Sequence, residues 1–148
     1  MPQPSRILSF VIFFAVALLL LSSRAVAQTI YVTSQASQTI TAIQGSTITP
    51  VATISTSPYV PGPIAVTPDG RWAYVANICG TTDPGSVTVA DLVNNKVASV
   101  TTVGRCPDAI AVTQNGTAVY VSNGPDDSVS VTVQKPARGY QPATVRFF

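Results

Sequence analysis

The stretch PIAVTPDGRWAYVAN, Pro63 to Asn77, is answered 46 residues later by AIAVTQNGTAVYVSN, Ala109 to Asn123. The shared offset pairs Pro61 with Pro107, Ile64 with Ile110, Asp69-Gly70 with Asn115-Gly116, Tyr74 with Tyr120 and Asn77 with Asn123. Each copy reads as an apolar run, a turn and a second apolar run. Asp-Gly and Asn-Gly tolerate the positive φ that a tight hairpin turn requires. The flanks repeat as well. VATI (Val51–Ile54) matches VASV (Val97–Val100), and TITAI (Thr39–Ile43), SVTVA (Ser86–Ala90) and SVSVT (Ser128–Thr132) occupy one slot. A third copy opens at IYVTS (Ile30–Ser34), with Tyr31 standing 43 residues before Tyr74.

One unit is therefore expected to hold four strands. The first is Ile64–Thr67 and the second Trp72–Asn77. A variable loop, Ile78–Gly85, precedes the third, Ser86–Asp91. A turn around Asn94-Asn95 leads into the fourth, Lys96–Val103. The runs are rich in Val, Ile, Thr and Tyr, and the breaks between them in Gly, Pro, Asn and Asp, which is the pattern of short strands and tight turns. No sustained helical period competes with it. Charges are few and sit at the breaks, as expected of sheets covered on both faces. A four-stranded unit of this length is the size of a β-propeller blade. The predicted class is all-β, a partial propeller of antiparallel four-stranded blades behind an N-terminal signal-peptide helix. Its predicted parts are a signal at 1–27, a partial unit at 28–60, a full unit at 61–106, a partial unit at 107–133 and an irregular tail at 134–148.

The signal reading rests on three features. Arg6 lies in a short polar head, Ile7–Leu21 is apolar apart from Ser9, and Ala25-Val26-Ala27 is a small-x-small cleavage signal, with the cut expected between Ala27 and Gln28. The apolar run is shorter than the roughly 20 residues of a spanning helix, so no stable membrane span is expected after cleavage, an uncleaved anchor helix being the alternative. Cleavage would remove 27 of the 148 residues, leaving 121, and take Arg6 and Arg24 with it. Six basic residues would then face six Asp, and the formal charge would fall from +2 to zero. A neutral chain has no electrostatic footprint for nucleic acid. The expected location is secreted or periplasmic.

The sequence contains no His and no Glu. It lacks the commonest general base and metal ligand, so no catalytic residue, metal or cofactor is assigned and a non-enzymatic role is favoured. The two cysteines, Cys79 and Cys106, permit one intramolecular disulfide in an oxidising compartment, with free thiols as the alternative. Strands in a blade alternate in direction. The loop between the second and third strands therefore shares a rim with the link from the fourth strand to the next blade. That places Cys79 and Cys106 on one rim, along with Asp83, Arg105, Asp108, Asp126 and Asp127. Two readings of these charges stand: a small polar or cation site, or ordinary solvated loop charge, which is the simpler. Trp72, Tyr74 and Tyr120 are expected to pack between blades. Asn115-Gly116-Thr117 fits a glycosylation acceptor, yet it coincides with the hairpin turn, which explains it without a glycan.

AYVAN, VYVSN and IYVTS resemble the Tyr-Val-Thr-Asn core of the YVTN family of β-propeller repeats, and the surrounding PxxIAVTxDG and SVTVADLVNNKVASVTTVG resemble the rest of that repeat. The resemblance covers most of 28–133 and departs from the family in the cysteine pair, in Gln114-Asn115 and in the tail. It implies an extracytoplasmic propeller with a binding or scaffold role. The alternative it implies is a piece of a propeller enzyme similar to lactonases, or of a haem-d1-like propeller. The mature length gives about two and a half blades where closed propellers hold about four to eight. The expectation is a fragment of a longer gene, a degenerate remnant, or a protomer completed by copies of itself. Its partners would be missing blades or itself, with any ligand unnamed.

Overall fold

The computed structural model describes residues 28–78, 84–133 and 146–147. The proposed signal peptide lies outside them. Three antiparallel sheets follow one another along the chain. The first holds β1 (Thr29–Ser34), β2 (Thr39–Gln44) and β3 (Thr49–Ser55). The second holds β4 (Pro61–Val66), β5 (Trp72–Asn77), β6 (Ser86–Asp91) and β7 (Lys96–Thr102). The third holds β8 (Pro107–Val112), β9 (Ala118–Asn123), β10 (Ser128–Val133) and β11 (Arg146–Phe147). Each sheet meanders in strand order, and no helix among the described residues is long and apolar enough to cross a membrane. The fold is all-β, a set of propeller blades.

The sheets repeat in register as well as in sequence. Asn77 pairs with Ser86 and Asn123 with Ser128 at the same end of the corresponding hairpins, as Ser34 does with Thr39. A bulge between Ala42 and Ile43 recurs between Val89 and Ala90, and another after Pro61 recurs after Pro107. A bulge adds local twist, so its recurrence means that the blades share curvature. β1 fills the second-strand slot, so the first sheet starts one strand later than the other two. At the far end, Arg146 and Phe147 pair with Val131 and Ser130, giving the third sheet a fourth strand. The stretch 134–148, expected to be irregular, contributes this two-residue strand.

The hairpin turns follow their side-chain chemistry. Thr67 Oγ1 donates to Asp69 Oδ1 at 2.5 Å, the Arg71 N–H donates to the same oxygen at 3.1 Å, and Gly70 sits at φ +69°. In the next blade Thr113 Oγ1 donates to Asn115 Oδ1 at 2.7 Å, the Thr117 N–H donates at 3.1 Å, and Gly116 sits at φ +69°. The Asn115 side-chain oxygen is thus used by the turn, as the sequence reading held. Only glycine takes that φ without steric cost.

Two apolar layers join the blades. The first packs Tyr31, Ile40 and Ile54 of the first blade against Ala73, Val75 and Ala90 of the second. The second packs Tyr74, Val87 and Val89 of the second blade against Val119, Val121 and Ile110 of the third. Alternate residues of a strand point to opposite faces. Ala73 and Val75 therefore face backward while Tyr74 faces forward. All of β5 except Trp72 is buried because blade 2 has a neighbour on each side. β1, with a neighbour on one side only, has no fully buried residue.

Candidate functional site

The rim above the seam between blades 2 and 3 gathers most of the charged residues singled out in the sequence. It is built by the link after β7 and by the loop between β9 and β10. The link is pinned from below. The Gly85 N–H donates to Gly104 O at 3.1 Å, and the Val103 N–H returns to Gly85 O at 2.9 Å. A side chain at Gly85 would place its Cβ 2.1 Å from Gly104 O, and one at Gly104 would lie 2.6 Å from Asn123 Cγ. Both positions are held to glycine by close approach. Past the link, Cys106 takes a left-handed φ of +46°, uncommon for a residue with a side chain.

Arg105 then reaches the next blade. Its backbone N–H donates to Asp126 Oδ2 at 2.6 Å, its Nε to Asp126 Oδ1 at 2.5 Å, and its Nη2 to Pro125 O at 3.4 Å. Asp126 ends a 3₁₀ turn, Gly124–Asp126, that Asp127 closes with φ +46° and an N–H donated to Gly124 O. The Arg105 backbone N–H, and after it the guanidinium, hold the Asp126 carboxyl below its ordinary value. Both partners retain solvent contact, so the pair is a positioning clamp more than a source of stability. Asp108 accepts a hydrogen bond from the Ser122 hydroxyl.

Of the rim residues named from the sequence, Arg105 and Asp126 meet, and Asp108 and Asp127 border the same turn. Asp83 and Cys79 lie outside the described residues. No cysteine among the described residues is a free thiol. The described residues hold no cluster of three or more groups fit to bind a metal. A shallow cleft of about 240 Å³ opens beside the turn, lined by Ser122, Asn123, Gly124, Asp127, Ser128 and Val129. A second, of about 290 Å³, lies between the two hairpin turns and is lined by Thr67, Pro68, Asp69, Gln114, Asn115, Gly116 and Thr117. In the second cleft Asp69 Oδ1 and Asn115 Oδ1 are engaged by their own turns.

A buried polar ladder under the rim escaped the sequence reading. Asn77 Nδ2 donates to Ser86 Oγ at 2.9 Å, and Thr88 Oγ1 donates to Asn77 Oδ1 at 3.1 Å. In the next blade Asn123 Nδ2 donates to Ser128 Oγ at 3.2 Å and to Ser130 Oγ at 2.9 Å. Ser130 Oγ also accepts the Gly104 N–H, at 3.2 Å, across the seam. The signal was present in the closing Asn of YVAN and YVSN, which the sequence reading took only as a repeat marker. These residues tie the second and third strands of a blade together and, through Ser130, one blade to the next.

No protein-family model matches the chain, and no curated protein sequence matches it. Solved structures do. Over 71% of this chain and 29% of the other, it is similar to hydrazine synthase of Kuenenia stuttgartiensis, at 26% identity and a TM-score of 0.63. Over 80% of this chain and 24% of the other, it is similar to the dihydro-haem d1 dehydrogenase NirN, solved in complex with DHE, at 25% identity and a TM-score of 0.62. Over 79% of this chain and 33% of the other, it is similar to a proposed 6-phosphogluconolactonase of Bacteroides fragilis, at 17% identity and a TM-score of 0.59. The chain spans a quarter to a third of the length of these chains.

Proposed function

We propose that this chain is an extracytoplasmic propeller-repeat protein of the YVTN type with a binding or scaffold role, cleaved between Ala27 and Gln28 and carrying a Cys79–Cys106 disulfide. One observation weighs most. Among the described residues, three of the charged rim groups are committed to loop geometry, Asp126 to Arg105 and Asp108 to Ser122. A rim of that kind presents a fixed surface, which supports a binding or scaffold role. The signal pattern and the cysteine pair support an oxidising compartment, where the disulfide would tie the loop after β5 to the link after β7.

The second reading is a piece of a propeller enzyme similar to lactonases, or of a haem-d1-like propeller. It is favoured by the likeness to the dihydro-haem d1 dehydrogenase and to the Bacteroides fragilis protein. Expression with the native N-terminus in a secreting host tests the first reading. The mature protein is expected to begin at Gln28 by mass spectrometry, to carry no titratable thiol, and to leave 6-phosphogluconolactone at its spontaneous rate of hydrolysis. Accelerated hydrolysis, or a visible absorbance shift on adding haem d1, would move the assignment to the second reading. Cytoplasmic retention would refute the extracytoplasmic one.

A further inference from the structure

The sequence holds two Asn-Gly pairs, Asn115-Gly116 and Asn123-Gly124. Such a pair has a chemistry of its own, because glycine has no side chain to obstruct a close approach by its backbone. The glycine nitrogen attacks the asparagine Cγ. A Cγ–N bond forms, the Cγ–Nδ2 bond breaks, and Nδ2 leaves as ammonia with the proton that the glycine amide gives up. Water then opens the cyclic imide at either carbonyl and leaves an α- or β-linked aspartate. In an extended chain the two pairs are equivalent. The fold makes them unlike.

Asn115 lies exposed in the turn between β8 and β9. Its Oδ1 accepts from Thr113 Oγ1 at 2.7 Å, from the Thr117 N–H at 3.1 Å and from Thr117 Oγ1 at 2.7 Å. Donors at such distances stabilise the negative charge that a carbonyl oxygen gains when its carbon is attacked. Nδ2, the leaving group, makes no hydrogen bond among the described residues. The nucleophile is restrained by the bond from the Gly116 N–H to Thr113 O at 2.8 Å. That bond sits at an exposed turn tip, where local opening costs least. The α-linked product also fits. Asp69 holds the matching place in the preceding blade and makes the matching bonds to Thr67 Oγ1 and the Arg71 N–H.

Asn123 is 1% exposed. Its Nδ2 donates to Ser128 O at 3.3 Å, to Ser128 Oγ at 3.2 Å and to Ser130 Oγ at 2.9 Å. Losing that nitrogen would break the ladder and leave a carboxylate in a buried site, which is costly. The link at Gly104 packs so closely on the Asn123 Cγ that a methyl there would lie 2.6 Å away. We infer that Asn115 is a site of spontaneous deamidation in the folded protein and that Asn123 is not. Asn115 and Asp69 line the same cleft of about 290 Å³. Conversion therefore places a second carboxylate on that cleft and lowers the charge of the chain by one.

The test incubates chain 28–148, with its cysteines oxidised, in mildly alkaline buffer, folded or in urea, and maps it by tandem mass spectrometry. In the folded chain Asn115 should show the mass gain of an amide-to-acid exchange faster than Asn123 by at least about tenfold, equivalent to about 1.4 kcal/mol of added opening cost at the buried pair. In urea the two should react at comparable rates. Asn115→Asp should keep the thermal melt of the parent chain and remove the acidic species that the parent accumulates on isoelectric focusing. Equal rates at the two sites in the folded chain would overturn the inference. So would a folded chain in which neither reacts while both react in urea. A glycan on Asn115 in the secreted protein would overturn it as well, because the leaving nitrogen is then substituted. Each of those results leaves the secretion and lactone tests unaffected.

Discussion

Tyr74 and Tyr120 hold one position in successive units and have opposite surroundings. Tyr74 lies buried between two blades, and Tyr120 is nearly half exposed on blade 3. Their strands, their cross-strand partners within the blade (Val89 and Val131) and their hairpin turns match. The difference is that, among the described residues, a blade covers the face of Tyr74 and none covers that of Tyr120. Burial in this molecule is thus set by neighbours more than by residue type, as in repeat proteins whose stability is the sum of units and seams. The same holds for Ala73 and Val75 against Ile30 and Val32.

The comparison predicts unequal costs for equal substitutions. Tyr74→Ala should destabilise by about 3–5 kcal/mol, the range for deleting a buried aromatic side chain. Tyr120→Ala should stay within about 0.5 kcal/mol, as surface changes do. Urea denaturation at low protein concentration measures both. Equal losses would show that the two tyrosines are not one position in two environments.

The seam itself can be probed next. Gly104→Ala would drive a methyl into the Asn123 side chain and should cost about 1–3 kcal/mol as overpacking. Removing the obstacle with Asn123→Ala should recover part of that cost, giving a coupling of about 0.5–3 kcal/mol in a double-mutant cycle. Additive losses would mean that the link and the Asn123 ladder are independent.

The turns offer the smallest and cleanest contrast. The Thr67 hydroxyl, then the Arg71 N–H, hold the Asp69 carboxyl below its ordinary value. A depressed folded-state pKa contributes stability that is full above the unfolded value, near 3.8, and is lost as pH falls through the folded value. Asn115 makes the same bonds with a neutral amide. Asp69→Asn should therefore leave stability at pH 7 almost unchanged and flatten its decline below about pH 4, the ordinary carboxylate range. Thermal melts of the two proteins from pH 7 to pH 2 report this, and parallel curves would contradict it. Asp126 is held down in the same direction by Arg105, so Asp126→Asn should flatten the decline as well.

Much of the fold could be read from residue order because its determinants are local. β5 and β6 run between the residues expected, Trp72 to Asn77 and Ser86 to Asp91, since alternation and turn residues bound them on both sides. β4 begins at Pro61, three residues before the apolar run, because a bulge lets Pro61 pair with Asn77. β11 was not foreseen. Its pairing with β10 is set by a distant register, and Arg146-Phe147 carry no local strand pattern. For the rim, strand direction alone brought Arg105 and Asp126 to one side. That Arg105 uses both backbone and guanidinium on one carboxylate depends on the left-handed link and the 3₁₀ turn, which no motif announces. The Asn–Ser–Thr ladder was hidden because polar residues in strands read as solvent-facing until both faces prove covered.

Hydroxyl-radical footprinting of chain 28–148 would measure side-chain access at Tyr74 and Tyr120 in one experiment. Tyr74 is predicted to be protected and Tyr120 to be labelled. Labelling of Tyr74 at the level of Tyr120 would contradict that.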